Sequence, residues 1–144
     1  MTDNQLNDQA MVFLTNSLTN NMSLRTLNLS ENKRTTGAGW RTMFTVFANP
    51  SLGLEKLDIS SNELDDAAIE ALTTALVNNR NLKDLVLSIN LLITDAGWGT
   101  FVAVLASSHT ALKMLDLRDN CIGDATLTSV ANSLASNKML KELK

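Results

Sequence analysis

The sequence predicts an α/β fold, a right-handed βα solenoid with parallel strands inside its curve and helices outside. Two observations predict it. The nine-residue pattern LxxLxLxxN occurs at Leu24 to Asn32, Leu54 to Asn62, Leu82 to Asn90 and Leu112 to Asn120, and begins again at Leu140-Lys141-Glu142-Leu143. Between one copy and the next lies a stretch whose apolar residues recur at helical spacing.

Each copy has a mechanical meaning. In Leu54 to Ile59 the alternation puts Leu57 and Ile59 on one side of a short strand and Lys56, Asp58 and Ser60 on the other. One side is buried and the other is wet. The closing asparagine has a short amide that can bond backbone groups left unpaired where the strand turns away, so Asn32, Asn62, Asn90 and Asn120 are expected to stack as a structural ladder. Loss of a rung leaves buried groups unpaired, at roughly 1 to 3 kcal/mol each.

The helices follow two rulers. After Asn62 the inward positions are Ile69, Leu72, Thr73 and Leu76, and after Asn120 they are Leu127, Val130, Ala131 and Leu134. Run backwards from Leu18, Leu14 and Met11, the same ruler lands on Asn4, so the chain opens inside a repeat whose strand is missing. After Asn32 the positions are Trp40, Met43, Phe44 and Phe47, and after Asn90 they are Trp98, Phe101, Val102 and Leu105, each one residue later. The first leucines are therefore spaced 30, 28, 30 and 28 apart, which makes a pair of repeats, 58 residues, the duplicated unit. Gly37-Ala38-Gly39 and Asp95-Ala96-Gly97 are expected in tight loops entering the helices, with Asn49-Pro50 and Asn78-Asn79 at helix ends.

These repeats, 28 to 30 residues long with a helix in each, resemble the ribonuclease-inhibitor-like class of leucine-rich repeats, found also in Ran GTPase-activating proteins, in the sensors of nucleotide-binding immune receptors and in tropomodulin. The resemblance runs from Asn4 to Leu143 and rests on structural residues. It implies a single leucine-rich-repeat domain over 1–144, divided into a partial repeat 1–23, repeats 24–53, 54–81, 82–111 and 112–139, and a partial strand 140–144. Neither end carries the polar cap usual in the family, so either this is a segment of a longer array or its open ends support self-association.

Composition narrows the function. A net charge of -3 argues against nucleic acid as a partner, since such binders normally show a basic face. No apolar run is long enough to span a membrane, no signal peptide opens the chain, and the lone Cys121 forms no internal disulfide, so the expected location is cytoplasmic. No Walker loop, HExxH or CxxC is present, and no cofactor or metal is implied. His109 reads as an exposed loop histidine and Cys121 as a structural thiol rather than a nucleophile. Asp65, Asp66, Asp95 and Asp124 stand where acids favour the start of a helix, which explains them better than metal ligation. Trp40 and Trp98 fill the core.

What remains is the outward side of the strands. Its rows are Thr26, Lys56, Asp84, Met114 and Glu142, then Asn28, Asp58, Val86 and Asp116, then Ser30, Ser60, Ser88 and Arg118. The expected function is a non-enzymatic interaction module that binds a protein partner through this concave sheet, with Lys56, Asp58, Asp84, Met114, Asp116, Arg118 and Asp119 as contact residues and Arg118 as anchor. The resemblance to Ran activators implies an alternative, in which Arg118 or a loop neighbour promotes GTP hydrolysis. A third reading makes the chain a structural segment of a larger repeat protein. If the register is right, Leu57→Asp places a carboxylate where a buried leucine contributes about 1.5 to 3 kcal/mol, and the variant shows no cooperative thermal transition by circular dichroism.

Overall fold

A computed structural model describes all 144 residues. Five helices and five short strands alternate: α1 (Asp8–Leu18), β1 (Thr26–Asn28), α2 (Gly37–Phe44), β2 (Lys56–Asp58), α3 (Asp66–Leu76), β3 (Asp84–Val86), α4 (Asp95–Ala106), β4 (Met114–Asp116), α5 (Asp124–Ser136) and β5 (Glu142–Leu143). The strands form one parallel sheet in sequence order, with Leu27, Leu57, Leu85, Leu115 and Leu143 in register. An open sheet with consecutive neighbours and a helix in every crossover is the βα solenoid.

The core lies between sheet and helices. Leu29, Ile59, Leu85 and Leu87 are fully buried beneath the strands, against Trp40, Met43, Ile69 and Leu72 from the helices. Trp40 stacks on Phe44, and Trp98 meets Phe101 edge to face. Both tryptophans are core residues whose indole N–H groups have no hydrogen-bond partner.

The asparagines after the strands repeat one pattern of bonds. The Nδ2 of Asn62 donates to the carbonyls of Leu29, Ile59 and Ser60, while its Oδ1 accepts from Asn32 N–H at 2.8 Å. Asn32, Asn90 and Asn120 donate in the same way to carbonyls within their own loops. Asn4 adds a fifth rung, because Asn32 Oδ1 accepts from the N–H groups of Asn4 and Leu6. The residue before each rung takes a left-handed conformation, with φ of 53° at Asp3, 60° at Glu31, 55° at Ser61, 57° at Ile89 and 55° at Asp119.

Two further sets of ties join the repeats on the helix side. Carboxylates at the first position of α1 and α4 and of α3 reach forward: Asp8 accepts from both N–H and hydroxyl of Thr36, Asp66 does the same for Thr94, and Asp95 accepts from Gly123 N–H. A Cβ at Gly39 or Gly97 would collide with the carboxylates of Asp8 and Asp66. Behind each helix, Asn49, Asn79, Ser107 and Asn137 donate to the carbonyls of Thr19, Phe47, Val77 and Leu105, closing the open end of the preceding helix.

Several expectations are corrected. Gly37-Ala38-Gly39 and Asp95-Ala96-Gly97 are not loops but the first turns of α2 and α4, because Thr36 and Thr94 stand at the N-cap positions before them. The helix over Trp40 to Phe47 tightens into a 3-10 turn at Thr45–Ala48, ahead of Asn49-Pro50. Of the four acids, Asp65 caps its own helix through Ala68 N–H, whereas Asp66 and Asp95 bond to the next repeat. Of the four inward positions expected in α5, only Val130 is buried. Leu127 is 60% exposed and Ala131 is exposed as well, since no helix packs on the far side of α5. Asn120, at the last complete turn of the ladder, is half-buried where Asn32 and Asn90 are fully buried.

Asn62→Ala removes three donated bonds and one accepted bond from a buried site, so it costs about 3 kcal/mol. Urea denaturation, read as the change in midpoint at constant slope, checks this value.

Candidate functional site

Three-residue strands give the concave face a fixed grid. Pairing sets Thr26, Lys56, Asp84, Met114 and Glu142 side by side, and Asn28, Asp58, Val86 and Asp116 in the row above. Every proposed contact residue except Asp119 therefore starts from the sheet or its immediate continuation. Asp119 is exposed in the loop that follows β4.

Polar side chains on this grid are mostly paired with one another. Lys56 Nζ lies 2.8 Å from Asp84 Oδ2, and this hydrogen bond holds the ammonium above its ordinary pKa. Asn28 Nδ2 donates to Asp58 Oδ2 at 3.1 Å. Asp58 Oδ1 accepts from the N–H and hydroxyl of Ser60, and Asn28 Oδ1 from those of Ser30. These side chains close the turn that ends each strand, as Asx turns do.

Asp116 departs most from expectation. Read as a wet surface residue, it is 3% exposed, because it takes the same turn-closing place and is covered by Arg118. Its Oδ1 accepts from Arg118 N–H at 3.1 Å and from Nε at 3.0 Å, while its Oδ2 accepts from Nη2 at 2.7 Å. The forked geometry suits a planar guanidinium and fixes Arg118, which remains exposed. The Arg118 hydrogen bond holds the Asp116 carboxyl below its ordinary value against the opposing effect of burial. Ser30 and Ser88, expected to be wet, are buried as well.

Val86 occupies the place held elsewhere in the row by Asn28, Asp58 and Asp116, and it cannot close the turn with a side-chain oxygen. Beside it Met114 is half-buried. Together with Thr26, Asn28, Lys56, Asp58 and Asp84 they line a depression of about 270 Å³ in the floor of the sheet. Val86 was legible as a grid position but not as the break in a polar row. No group of three or more histidine, cysteine or acidic side chains is arranged to hold a metal ion, and no helix is long and apolar enough to cross a membrane.

The Asp116 carboxylate has a depressed pKa in the folded chain, so its stabilising effect is present above the unfolded value of about 3.9 and disappears as pH falls through the lower folded value. Urea titrations of the native chain and Asp116→Asn at pH 7 and in acid are expected to show a stability gap at neutrality that closes on acidification.

Comparison with known proteins agrees with this architecture. The family described as "Leucine Rich repeat" matches residues 20–33, 54–72 and 108–131. A protein phosphatase 1 regulatory subunit 37 homolog of Caenorhabditis elegans is 27% identical over 146 residues, covering 81% of this chain and 15% of that protein. The ribonuclease inhibitor of Sus scrofa is 31% identical over 121 residues, covering 84% of this chain and 26% of the inhibitor. The chain thus spans a small part of the length of these relatives. Among solved structures, the actin-binding site 2 of leiomodin-1 shares the fold, with a TM-score of 0.78 at 19% identity over 92% of this chain and 75% of that one. Strand register, buried leucines, asparagine ladder and these matches together identify the chain as leucine-rich repeats of the ribonuclease-inhibitor-like class.

Proposed function

We propose that the chain is a non-enzymatic module that binds a protein through its concave sheet. The observation that carries this reading is the floor itself: Val86 and Met114 form an apolar centre, surrounded by charges already paired as Lys56 with Asp84 and Arg118 with Asp116. An apolar centre inside a polar rim is the anatomy of a protein interface. Charges that already have partners lose less on desolvation than isolated ones.

Extent matters too. Five strands at about 4.8 Å spacing give a face about 20 Å across, which suits a folded partner better than a small ligand. A phosphatase regulatory subunit, an inhibitor of a ribonuclease and an actin-binding site stand among its relatives and structural neighbours, and their names support a protein as the partner. In this reading Lys56, Asp58, Asp84, Met114, Arg118 and Asp119 touch the partner, with Val86 added to them. Asp116 acts from beneath by orienting Arg118. A guanidinium forked on its own carboxylate supports a contact anchor over a group that reaches for a nucleotide phosphate.

Affinity capture from lysate tests the reading with three chains: native, Val86→Asp with Met114→Lys, and Arg118→Ala. A partner held by the native chain and lost or reduced roughly tenfold by both variants, at unchanged circular dichroism, is the expected result. Equal capture by all three overturns it.

A further inference from the structure

A second surface lies at the edge of the sheet, in the loops that lead from strands to helices. Ile89, Leu91 and Leu92 follow β3 and are 42%, 60% and 55% exposed. In the matching loop after β1, Lys33 and Arg34 occupy the places of Leu91 and Leu92, each pair standing between a ladder asparagine and a fully buried residue, Thr35 or Ile93. The fold therefore accepts charge at these two positions. About half of the surface of these three large apolar side chains stays in contact with water and gains nothing from burial.

Ile89 carries an additional cost. Its φ of 57° lies in the left-handed region, where a β-branched residue is strained, and the equivalent residues Asp3, Glu31, Ser61 and Asp119 are all polar and unbranched. Directly beside it the ladder is interrupted. Asn90 Oδ1 is buried without a partner, although the corresponding oxygens of Asn32, Asn62 and Asn120 accept from Asn4, Asn32 and Asn90. The loops Ser61 to Glu63 and Ile89 to Leu92 are thus joined by one bond fewer than their counterparts. Between them runs a groove of about 220 Å³ lined by Ile89, Leu91, Leu92, Asn62, Glu63 and Lys33.

The charges on this groove select its occupant. Lys33 and Glu63 supply opposite signs on its walls, and Glu31 and Asp119 add negative charge in the neighbouring loops. Arg34 and Arg118 balance those acids, so the surround is mixed in sign and presents no basic face of the kind that an anionic membrane or nucleic acid needs. We infer that the groove over Ile89, Leu91 and Leu92 docks a short polypeptide segment of a partner protein, one carrying adjacent apolar residues with an acidic residue placed for Lys33 and a basic residue placed for Glu63. The apolar residues cover the leucines, and the flanking charges set the direction of the segment.

A phage-displayed library of random dodecapeptides is the probe, selected on the native chain and read by sequencing, with enriched peptides then synthesised and titrated by fluorescence anisotropy. Enriched peptides are expected to share an apolar pair flanked by an acidic and a basic residue. Leu91→Lys with Leu92→Arg, which installs the residues of the equivalent loop, weakens them roughly tenfold or more at unchanged melting temperature. Lys33→Glu turns the preference at the acidic position to basic, and Val86→Asp with Met114→Lys leaves titration unaltered, which separates this groove from the sheet floor. Ile89→Asn raises the melting temperature while weakening the peptides. The inference is overturned by a selection that enriches nothing, by peptides that bind the Leu91→Lys, Leu92→Arg variant as tightly as the native chain, or by light scattering that shows a dimer dissolved by that variant, which would make a second copy the occupant.

Discussion

A chain that leaves a β-strand after three residues and turns outward to a helix carries its carbonyl groups into the interior at every turn. Nothing in an apolar core can satisfy them, and the rest of the fold depends on the solution found here. One asparagine per repeat donates to the carbonyls of its own loop, and Asn62 also reaches Leu29 in the repeat before. The rung is short enough to stay buried and carries two N–H donors and a separate carbonyl acceptor, a set that the single hydroxyl of serine or threonine does not provide. Because Asn32 hands its N–H to Asn62, the polar column ties repeats as well as closing turns.

The helix side solves the same problem twice more. Open carbonyls at the end of one helix meet Asn49, Asn79, Ser107 or Asn137 from the next repeat, and N–H groups entering one helix meet Asp8, Asp66 or Asp95 from the repeat before. Polar ties therefore run in both directions between neighbours, around a core that supplies the bulk of the apolar burial. The glycines at 39 and 97 belong to this arrangement, since the carboxylate of the preceding repeat rests where a side chain would stand.

The strands, their register and the inward leucines were legible because period-two alternation and a fixed spacing constrain them twice over. The ladder positions Asn32, Asn62, Asn90 and Asn120 were legible for a similar reason, whereas Asn4 was reached by the helix ruler without being read as a rung. Less visible was whatever depends on the neighbouring repeat. Asp66 reads as a local cap but bonds to Thr94, and Asn79 and Asn137 recur three residues before a strand leucine without announcing which carbonyl they serve. Leu127 shows the same limit from the other side, since its spacing is that of a core residue and only the absence of a packed neighbour leaves it wet. At the concave face the grid was readable, whereas the burial of Asp116 was not. A turn-closing carboxylate and a solvated one are identical in the sequence.

The order in which such an array comes apart is written in its ties. Helices and strands touch only their sequence neighbours, so unfolding has no need to be all-or-none across the chain and can proceed as a zipper, one repeat at a time. The seam between Asn62 and Asn90, with one rung bond missing, divides the array near its middle. Across that seam the packing of α3 on α4 and the pairing of β2 with β3 hold the two halves together, so the missing bond is left to apolar burial and the sheet to offset.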